Sequence, residues 1–198
     1  MTGKIKLNAA SGGGSVAFEG PASLGSDKVV KLSATPGVIT QVVTTVKTDV
    51  WSSTADFSFE DVTGLSVTIT PSSTSSKILV IADVIASSDF YSTFLKLLRG
   101  STEIANTQTG AQSHQPTIFS VLVSDVTHSN TDGIVHLHRR SWVDSPSTTS
   151  ATTYKIQSTA RNGSYNAYIN RSVPDGNNAG GEYDPRYTST IQAMEIAG

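Results

Sequence analysis

Short runs in which apolar and polar side chains alternate recur along the chain from residue 38, with turn residues between them. There are about ten such runs, including LSVTITP, KILVIADVIAS and TSTIQAMEIAG. Alternation with a period of two is typical of strands, and no convincing amphipathic helix pattern lies between the runs. The spacing therefore predicts an all-β domain, built as a β-sandwich or jelly roll rather than from βαβ units.

The composition agrees with this fold class. Hydrophobic residues make up 37% of the chain and charged residues 15%, while Ser and Thr together account for 54 of the 198 residues. Thr suits pleated strand positions, and Ser, Gly and Asn suit the turns between strands. The profile is typical of an all-β protein with a large exposed surface.

Local signals refine the strand pattern. The stretches VVTTVKTDVW and STFLKLLRG also fit short helices, and this alternative stays open at the level of sequence. Asn162-Gly163 lies between two alternating runs and predicts a hairpin, because this dipeptide tolerates the positive φ angles of a type I′ turn. Gly100 predicts a similar reversal. The last run, which ends at Gly198, predicts a paired strand rather than a loose tail.

The sequence pattern changes near residue 36, which predicts that the chain consists of two parts. Residues 2 to 35 hold three short alternations, KIKL, SVAF and KVVKL, which are too small to fold alone. SATPG at 33 to 37 is typical of a turn, since Pro36 restricts the residue before it and Gly37 permits a reversal. We expect residues 1–36 to form an extended N-terminal strand segment, serving as stalk or anchor, and residues 37–198 to form the sandwich domain.

Charge and composition exclude several function classes. The net charge is -2 without a basic cluster, so binding to nucleic acid through phosphate contacts is not supported. The chain has no cysteine, so packing or oligomerisation must hold it together. No run of about 18 apolar residues exists, which argues against membrane insertion. The polar, Gly-rich N-terminus does not fit a secretory signal.

Two groups of sequence blocks resemble a known family. TGKIKLNAASGGGSVAFEGPASLGSDKVVKL is similar to a repeat segment of tailed-bacteriophage fibre proteins, particularly those of phages that infect cyanobacteria and other marine bacteria. SSKILVIADV, FLKLLRGSTEIA, VDSPSTTSATTYKIQ, YINRS and STIQAMEIAG resemble, in order, the C-terminal head domain of the same fibres. The resemblance covers most of the chain. It implies a virion structural protein, usually a homotrimer, with a β-structured stalk and a globular head.

In such fibres the thin strand segments of three chains pack around one axis. The resemblance therefore implies six inward positions in the N-terminal segment, namely Ile5, Leu7, Val16, Phe18, Val30 and Leu32. The alternative is an arm that becomes ordered only when it docks on another virion protein.

The place of the chain on the virion is open at this stage. We expect a tail fibre or spike that contributes to host-surface adsorption and is assembled in the host cytoplasm. Because the repeat-like segment starts at Met1, attachment through another fibre or baseplate component is one alternative. A capsid decoration or head-fibre protein anchored by residues 1 to 35 is the other.

Recognition of the host is expected in the loop from Ser172 to Thr188 together with NGSYNAY. Flat tyrosine rings and a forked guanidinium suit sugars or protein surfaces. The candidate receptor-contact residues are Tyr165, Tyr168, Tyr183, Arg186 and Tyr187. The same side chains would serve equally well at a trimer interface.

One pair of residues is a weak candidate for metal binding. His136 and His138 are two apart on an expected strand and hence on one face. Around a trimer axis three such pairs would offer six imidazoles to a transition metal. A lone His-x-His is common, however, and an ordinary surface or interface position is the stronger interpretation. We therefore expect no metal and no cofactor.

The sequence offers no usable catalytic set. No Gly-x-Ser-x-Gly elbow accompanies the remaining histidines, His114 and His128. Asp175, Glu182 and Asp184 could form carboxylate pairs for sugar hydrolysis, but they lie in an expected loop that does not fix their geometry. We expect a protein that is not an enzyme.

Overall fold

The computed structural model describes residues 4–8, 15–19, 37–56, 58–88, 92–105, 119–122, 135–160, 164–173 and 185–198. These residues contain thirteen strands and no helix, so the all-β prediction is confirmed for them. Contacts divide the chain into two compact units, Met1–Ser33 and Ala34–Gly198.

The first unit contains one antiparallel pair, β1 (Lys4–Asn8) and β2 (Ser15–Glu19). Their register sets Ile5 opposite Phe18 and Leu7 opposite Val16. Residues directly opposite each other share a face, and so do residues two apart on one strand. Four of the six predicted inward residues thus share one face of the pair, while Val30 and Leu32 lie outside the described residues.

The second unit contains two sheets, in which every pairing between the strands named here is antiparallel. The larger sheet contains β3 (Ile39–Lys47), β4 (Trp51–Ser53), β6 (Lys77–Ser88), β10 (His136–Asp144), β12 (Ala167–Ile169) and β13 (Ser189–Ile196). The smaller sheet contains β5 (Glu60–Ile69), β7 (Ser92–Arg99), β8 (Thr102–Ile104), β9 (Phe119–Leu122) and β11 (Thr152–Ala160).

The long strand β6 organises the larger sheet. One of its edges pairs with β10, and the other pairs with β13 and β12 in succession. Beyond these, β3 pairs with β13 and β4 pairs with β12. Among the described strands, β10 and β3 therefore form opposite edges of this sheet. The smaller sheet runs β5, β11, β7, and both β8 and β9 pair with β7.

The inward sides of both sheets supply one hydrophobic core. Alternate residues of β6, from Ile78 to Ala86, are at most 1% exposed, and they pack in the same cluster as Leu65 of β5 and Ile156 of β11. Burial of apolar surface contributes about 25 cal/mol per Å², so this shared cluster is the main source of stability.

A bulge in β5 keeps its apolar residues inward. Val62 and Leu65 are both buried although they are three apart, which simple alternation does not allow. The register with β11 shifts at this point, and Gly64 there has a φ of 82°. A side chain at that φ would be strained, so glycine allows the irregular stretch between Asp61 and Ser66 to form.

The structure decides the alternatives that the sequence left open for individual strands and turns. Both stretches that also fitted short helices form strands. The first forms β3 and β4, in line with the strand propensity of its Val and Thr residues. The second forms β7 although its Leu and Lys residues favour helix, because it pairs with β11 and β8. The reversal at Gly100 is confirmed, because Gly100 has a φ of 58° and joins the paired strands β7 and β8. The paired C-terminal strand is also confirmed, since β13 pairs on both edges.

The predicted hairpin around Asn162-Gly163 is wrong. The strand before it, β11, belongs to the smaller sheet, whereas the strand after it, β12, pairs with β6 and β4 of the larger sheet. Every residue of β12 is buried, so its packing in the other sheet outweighs the local preference for a hairpin. Residues 161–163 themselves lie outside the described residues.

Candidate functional site

Two described segments carry most of the predicted receptor-contact residues and lie against each other. Tyr165 and Tyr168 belong to residues 164–173, and Arg186 and Tyr187 belong to residues 185–198. The backbone N–H of Tyr187 donates to the carbonyl of Asn170 at 3.0 Å, and Arg171 forms a β-bridge with Arg186. The structure thus brings these two segments together. Tyr183, like Asp175, Glu182 and Asp184, lies outside the described residues.

Asn170 anchors this region in the larger sheet. It is fully buried and has a φ of 65°, a left-handed conformation that Asn tolerates better than most residues. Its side-chain amide donates to the carbonyls of Lys47 and Asp49 at 2.9 and 3.0 Å. Its side-chain oxygen accepts a hydrogen bond of 2.6 Å from Ser189. Three side-chain hydrogen bonds therefore fix the backbone position of Asn170 and of the residues next to it.

The candidate residues differ in how much surface they offer. Tyr168 is only 9% exposed, and the Arg171 guanidinium lies 4.3 Å from its ring centre, so little of this ring can reach a partner. Tyr165 and Tyr187 are half-buried, and Arg186 is exposed. Among the described candidates, the accessible surface thus comes from Arg186 and from parts of Tyr165 and Tyr187.

The histidine pair lies on one side of β10, as the spacing predicted. The two rings are 6.0 Å apart between centroids, and the register sets His136 opposite Ala86 and His138 opposite Val84 of the core. Burial lowers the pKa of His138, and the neighbouring His136 lowers it further. Within the described residues, no group of three or more His, Cys, Asp or Glu side chains could hold a metal ion.

A second candidate site lies on the side of the larger sheet that faces away from the core, called the outer face below. Register and alternation define it as three rows across β3, β13, β6 and β10, with Leu137 beside them. The first row, the apolar row, contains Val42, Met194, Leu79 and Val143. The second contains Thr44, Gln192, Ile81 and Ser141. The third contains Val46, Thr190, Asp83 and Arg139.

A cavity of about 400 Å³ lies on the outer face. Its floor includes Ile81, and its polar lining comprises Thr44, Asp83, Arg139, Ser141, Thr190 and Gln192. Sequence reasoning missed this site. The signal was Asp83, an ionisable residue inside the apolar run KILVIADVIAS, because a carboxylate in such a strand needs a partner.

The polar groups of the outer face are largely paired with one another. Arg139 donates to both carboxylate oxygens of Asp83, through Nε at 2.6 Å and Nη2 at 2.7 Å. These bonds raise the pKa of Arg139 above its ordinary value. The side-chain amide of Gln192 donates to the hydroxyl of Thr44 at 2.8 Å. The cavity lining therefore carries one positive and one negative charge that neutralise each other.

Comparison of the sequence with known protein families and with curated proteins finds no match to either. Among the residues that the structure describes, no helix has the length and apolar character needed to span a membrane.

Proposed function

We propose that the chain is a bacteriophage virion structural protein that forms a homotrimeric tail fibre or spike and contributes to adsorption to the host surface. The ordered series of sequence blocks that resemble phage fibre proteins supports this assignment. In this proposal the chain binds other virion proteins and a host surface glycan or protein, and it carries out no catalysis.

The structural observation that carries the binding role is the anchored segment around Asn170. Recognition residues work best on a rigid support, because ordering a mobile loop on binding costs free energy. The backbone N–H of Tyr187, the residue after Arg186, is hydrogen-bonded to Asn170. The side chain of Asn170 is in turn held by hydrogen bonds with Lys47, Asp49 and Ser189. The exposed guanidinium of Arg186 and the half-buried ring of the next residue, Tyr187, offer forked donors and a flat apolar surface to a sugar or a protein.

The finer fold in this proposal is a β-sandwich of the jelly-roll type. Two features support it. Residues of both sheets belong to one core cluster, and the strand orders alternate between early and late parts of the chain, as in β3, β13, β6 and β5, β11, β7. Such non-local pairing is typical of Greek-key and jelly-roll connections.

Localisation of the protein on intact virions tests the proposal. Gold-labelled antibodies against the purified chain, combined with cryo-electron microscopy, should give label at the tail. Label spread over the head would replace the tail-fibre function with that of a capsid decoration or head-fibre protein anchored by the N-terminal segment. Virions without label, in a preparation whose other structural proteins are detected, would overturn the proposal.

A further inference from the structure

We infer that the outer face of the larger sheet is the surface through which copies of this chain bind one another. The inference deepens the proposed homotrimer by naming its contact surface, and it rests on the proposed function only for the number of copies. Three observations support it: the outer face exposes apolar residues, its polar groups are paired, and its apolar residues lie at both edges of the sheet.

The outer face exposes large apolar side chains that a solvated sheet normally avoids. Val42 and Val46 on β3 are 51% and 55% exposed, and Leu137 and Val143 on β10 are 64% and 50% exposed. The apolar row also contains Leu79 and Met194, so it crosses all four strands without a polar residue. Contiguous apolar surface of this kind marks an interaction site.

Several polar groups of the outer face already have hydrogen-bond partners on the same face, so they can be covered without losing these bonds. Asp83 and Arg139 satisfy each other through two hydrogen bonds, and Gln192 donates to Thr44. Covering such pairs costs less than covering unpaired charges, because each group keeps its partner. Within the three rows the charges of Asp83 and Arg139 offset each other, so these rows add no net like-charge repulsion when a second copy approaches.

The arrangement of the apolar residues favours a second copy as the occupant. Val42 and Val46 lie at one edge of the sheet and Leu137 and Val143 at the opposite edge. In a cyclic assembly the β3 edge of one copy meets the β10 edge of the next, so both apolar edges are covered by repeating one contact. This contact would also cover two nine-residue strands that form the sheet edges in the described part of the chain, and uncovered edges of that length invite aggregation.

The size of the outer face is adequate for such a contact. Four strands about 4.8 Å apart and eight residues rising about 3.3 Å each give a planar footprint of about 500 Å². Protruding side chains enlarge the accessible area beyond this footprint. The whole face is therefore of the same order as the surface of about 800 Å² per partner that stable complexes bury, and in a cyclic assembly it is shared between two neighbours.

Variants that place a charge on the outer face test the inference. The quantity measured is the molar mass of the oligomer that the full-length chain forms in solution. Val42→Glu and Val143→Glu would bury an unpaired carboxylate in the contact, and each should raise the dissociation constant of the assembly about a hundredfold or more. Ser66→Glu is the matched control, because Ser66 is exposed on β5 of the other sheet. Light scattering coupled to gel filtration should give the oligomer for the wild type and Ser66→Glu, and smaller species for the two face variants.

Single-cysteine variants give a second measurement that needs no destabilised assembly. The chain has no cysteine of its own, so a maleimide reports only the introduced thiol. Val42→Cys and Val143→Cys should react about tenfold more slowly than Ser66→Cys, because a covered thiol is inaccessible to the reagent. Dilution that dissociates the assembly should remove the difference.

The outcomes separate the inference from the function on which it draws. An oligomeric wild type whose face variants keep the same mass and react as fast as Ser66→Cys would overturn the contact surface and leave the homotrimer in place. A monomeric wild type with equal labelling rates would overturn both, and would leave the outer face and its cavity open to another ligand. Neither result changes where antibodies locate the protein on virions, so failure of the virion assignment remains distinguishable.

Discussion

The hydroxyl of Tyr154 donates a hydrogen bond of 2.7 Å to Oδ2 of Asp144, and this bond joins the two sheets. Tyr154 lies in β11 of the smaller sheet and is fully buried, whereas Asp144 is the last residue of β10 in the larger sheet. Arg99 of β7 donates through Nη1 to both oxygens of the same carboxylate, at 3.0 and 2.9 Å. Burial, together with the bond to Asp144, raises the pKa of the Tyr154 hydroxyl, so the donor stays protonated.

Removal of this hydroxyl should weaken the fold. Tyr154→Phe should lower the free energy of unfolding by about 1–3 kcal/mol, because it leaves a largely buried carboxylate with one donor fewer. Urea denaturation followed by fluorescence measures the change. The control is Thr153→Val, which removes an exposed hydroxyl contact with Thr68 of 2.8 Å and should change stability by less than about 0.5 kcal/mol. Equal effects of the two variants would contradict a special role for Tyr154.

Asn170 combines a left-handed backbone with three buried hydrogen bonds, and two variants separate these contributions. Asn170→Gly can still adopt the left-handed φ but lacks the three side-chain hydrogen bonds. It should lower the free energy of unfolding by about 3 kcal/mol. Asn170→Ala loses both and should cost about 1 kcal/mol more, since a Cβ is strained at a φ of 65° without the local compensation that Asn provides. Thermal and urea unfolding of both variants measure the difference. If the Ala variant were the more stable, the backbone argument would be wrong.

We expect the contribution of Glu195 to stability to depend on pH. It is 2% exposed, and its Oε1 accepts hydrogen bonds from the backbone N–H of Ser72 at 2.7 Å and from the hydroxyls of Ser72 and Ser76 at 2.6 and 2.7 Å. Burial alone would raise its pKa, but these hydrogen bonds outweigh that effect and hold the pKa below its ordinary value of 4.5. A carboxylate with a lowered pKa stabilises the fold above its ordinary pKa, and this stabilisation is lost as the pH falls through the lowered value.

The variant Glu195→Gln isolates that contribution. At about pH 7 it should unfold at lower urea concentration than the wild type, and the gap should narrow as the pH falls towards about 3. The narrowing has this sign because protonation removes from the wild type the same charge that the variant lacks. Urea midpoints across this pH range provide the measurement. A gap that stays constant would show that the ionised form of Glu195 is not what stabilises the fold.

Alternation alone predicted which residues share a side of a strand, and the all-β class followed from it. It did not predict which side is buried. In β13 the buried side combines Ile191 and Ala193 with Glu195, while the other side carries Met194 and Ile196. In β6 Leu79, Ile81 and Ile85 on one side are as apolar as Val80 and Val84 on the other. Only the pairing and packing of the sheets decide which side is buried, and these involve residues distant in sequence.

The same limit explains the missed cavity and the wrong hairpin. Asp83 and Arg139 are far apart in the sequence and become neighbours only because β10 pairs with β6. Asn162-Gly163 indicates a local reversal but carries no information on which sheet receives the next strand. The histidine pair was predictable because its spacing within one strand is enough to place both rings on one side.

The proposed adsorption role predicts that surface and buried members of the receptor-contact set behave differently. Arg186→Ala and Tyr187→Ala alter side chains that are exposed or half-buried. Each should change stability little and should weaken adsorption to host cells of virions that carry the variant. Tyr168→Ala removes a ring that is 9% exposed and should destabilise the fold by about 3 kcal/mol or more.

Adsorption rate constants and unfolding midpoints, measured for the same three variants, test this division. Lys155→Ala is the control, because Lys155 lies on the smaller sheet, in an exposed ion pair with Asp61 at 2.7 Å, and is not among the candidate contacts. Adsorption should fall for Arg186→Ala and Tyr187→Ala but not for Lys155→Ala, with all three melting near the wild type. If adsorption follows stability alone, so that only Tyr168→Ala is impaired, Arg186 and Tyr187 are not host contacts, and host contact must be sought elsewhere on the protein.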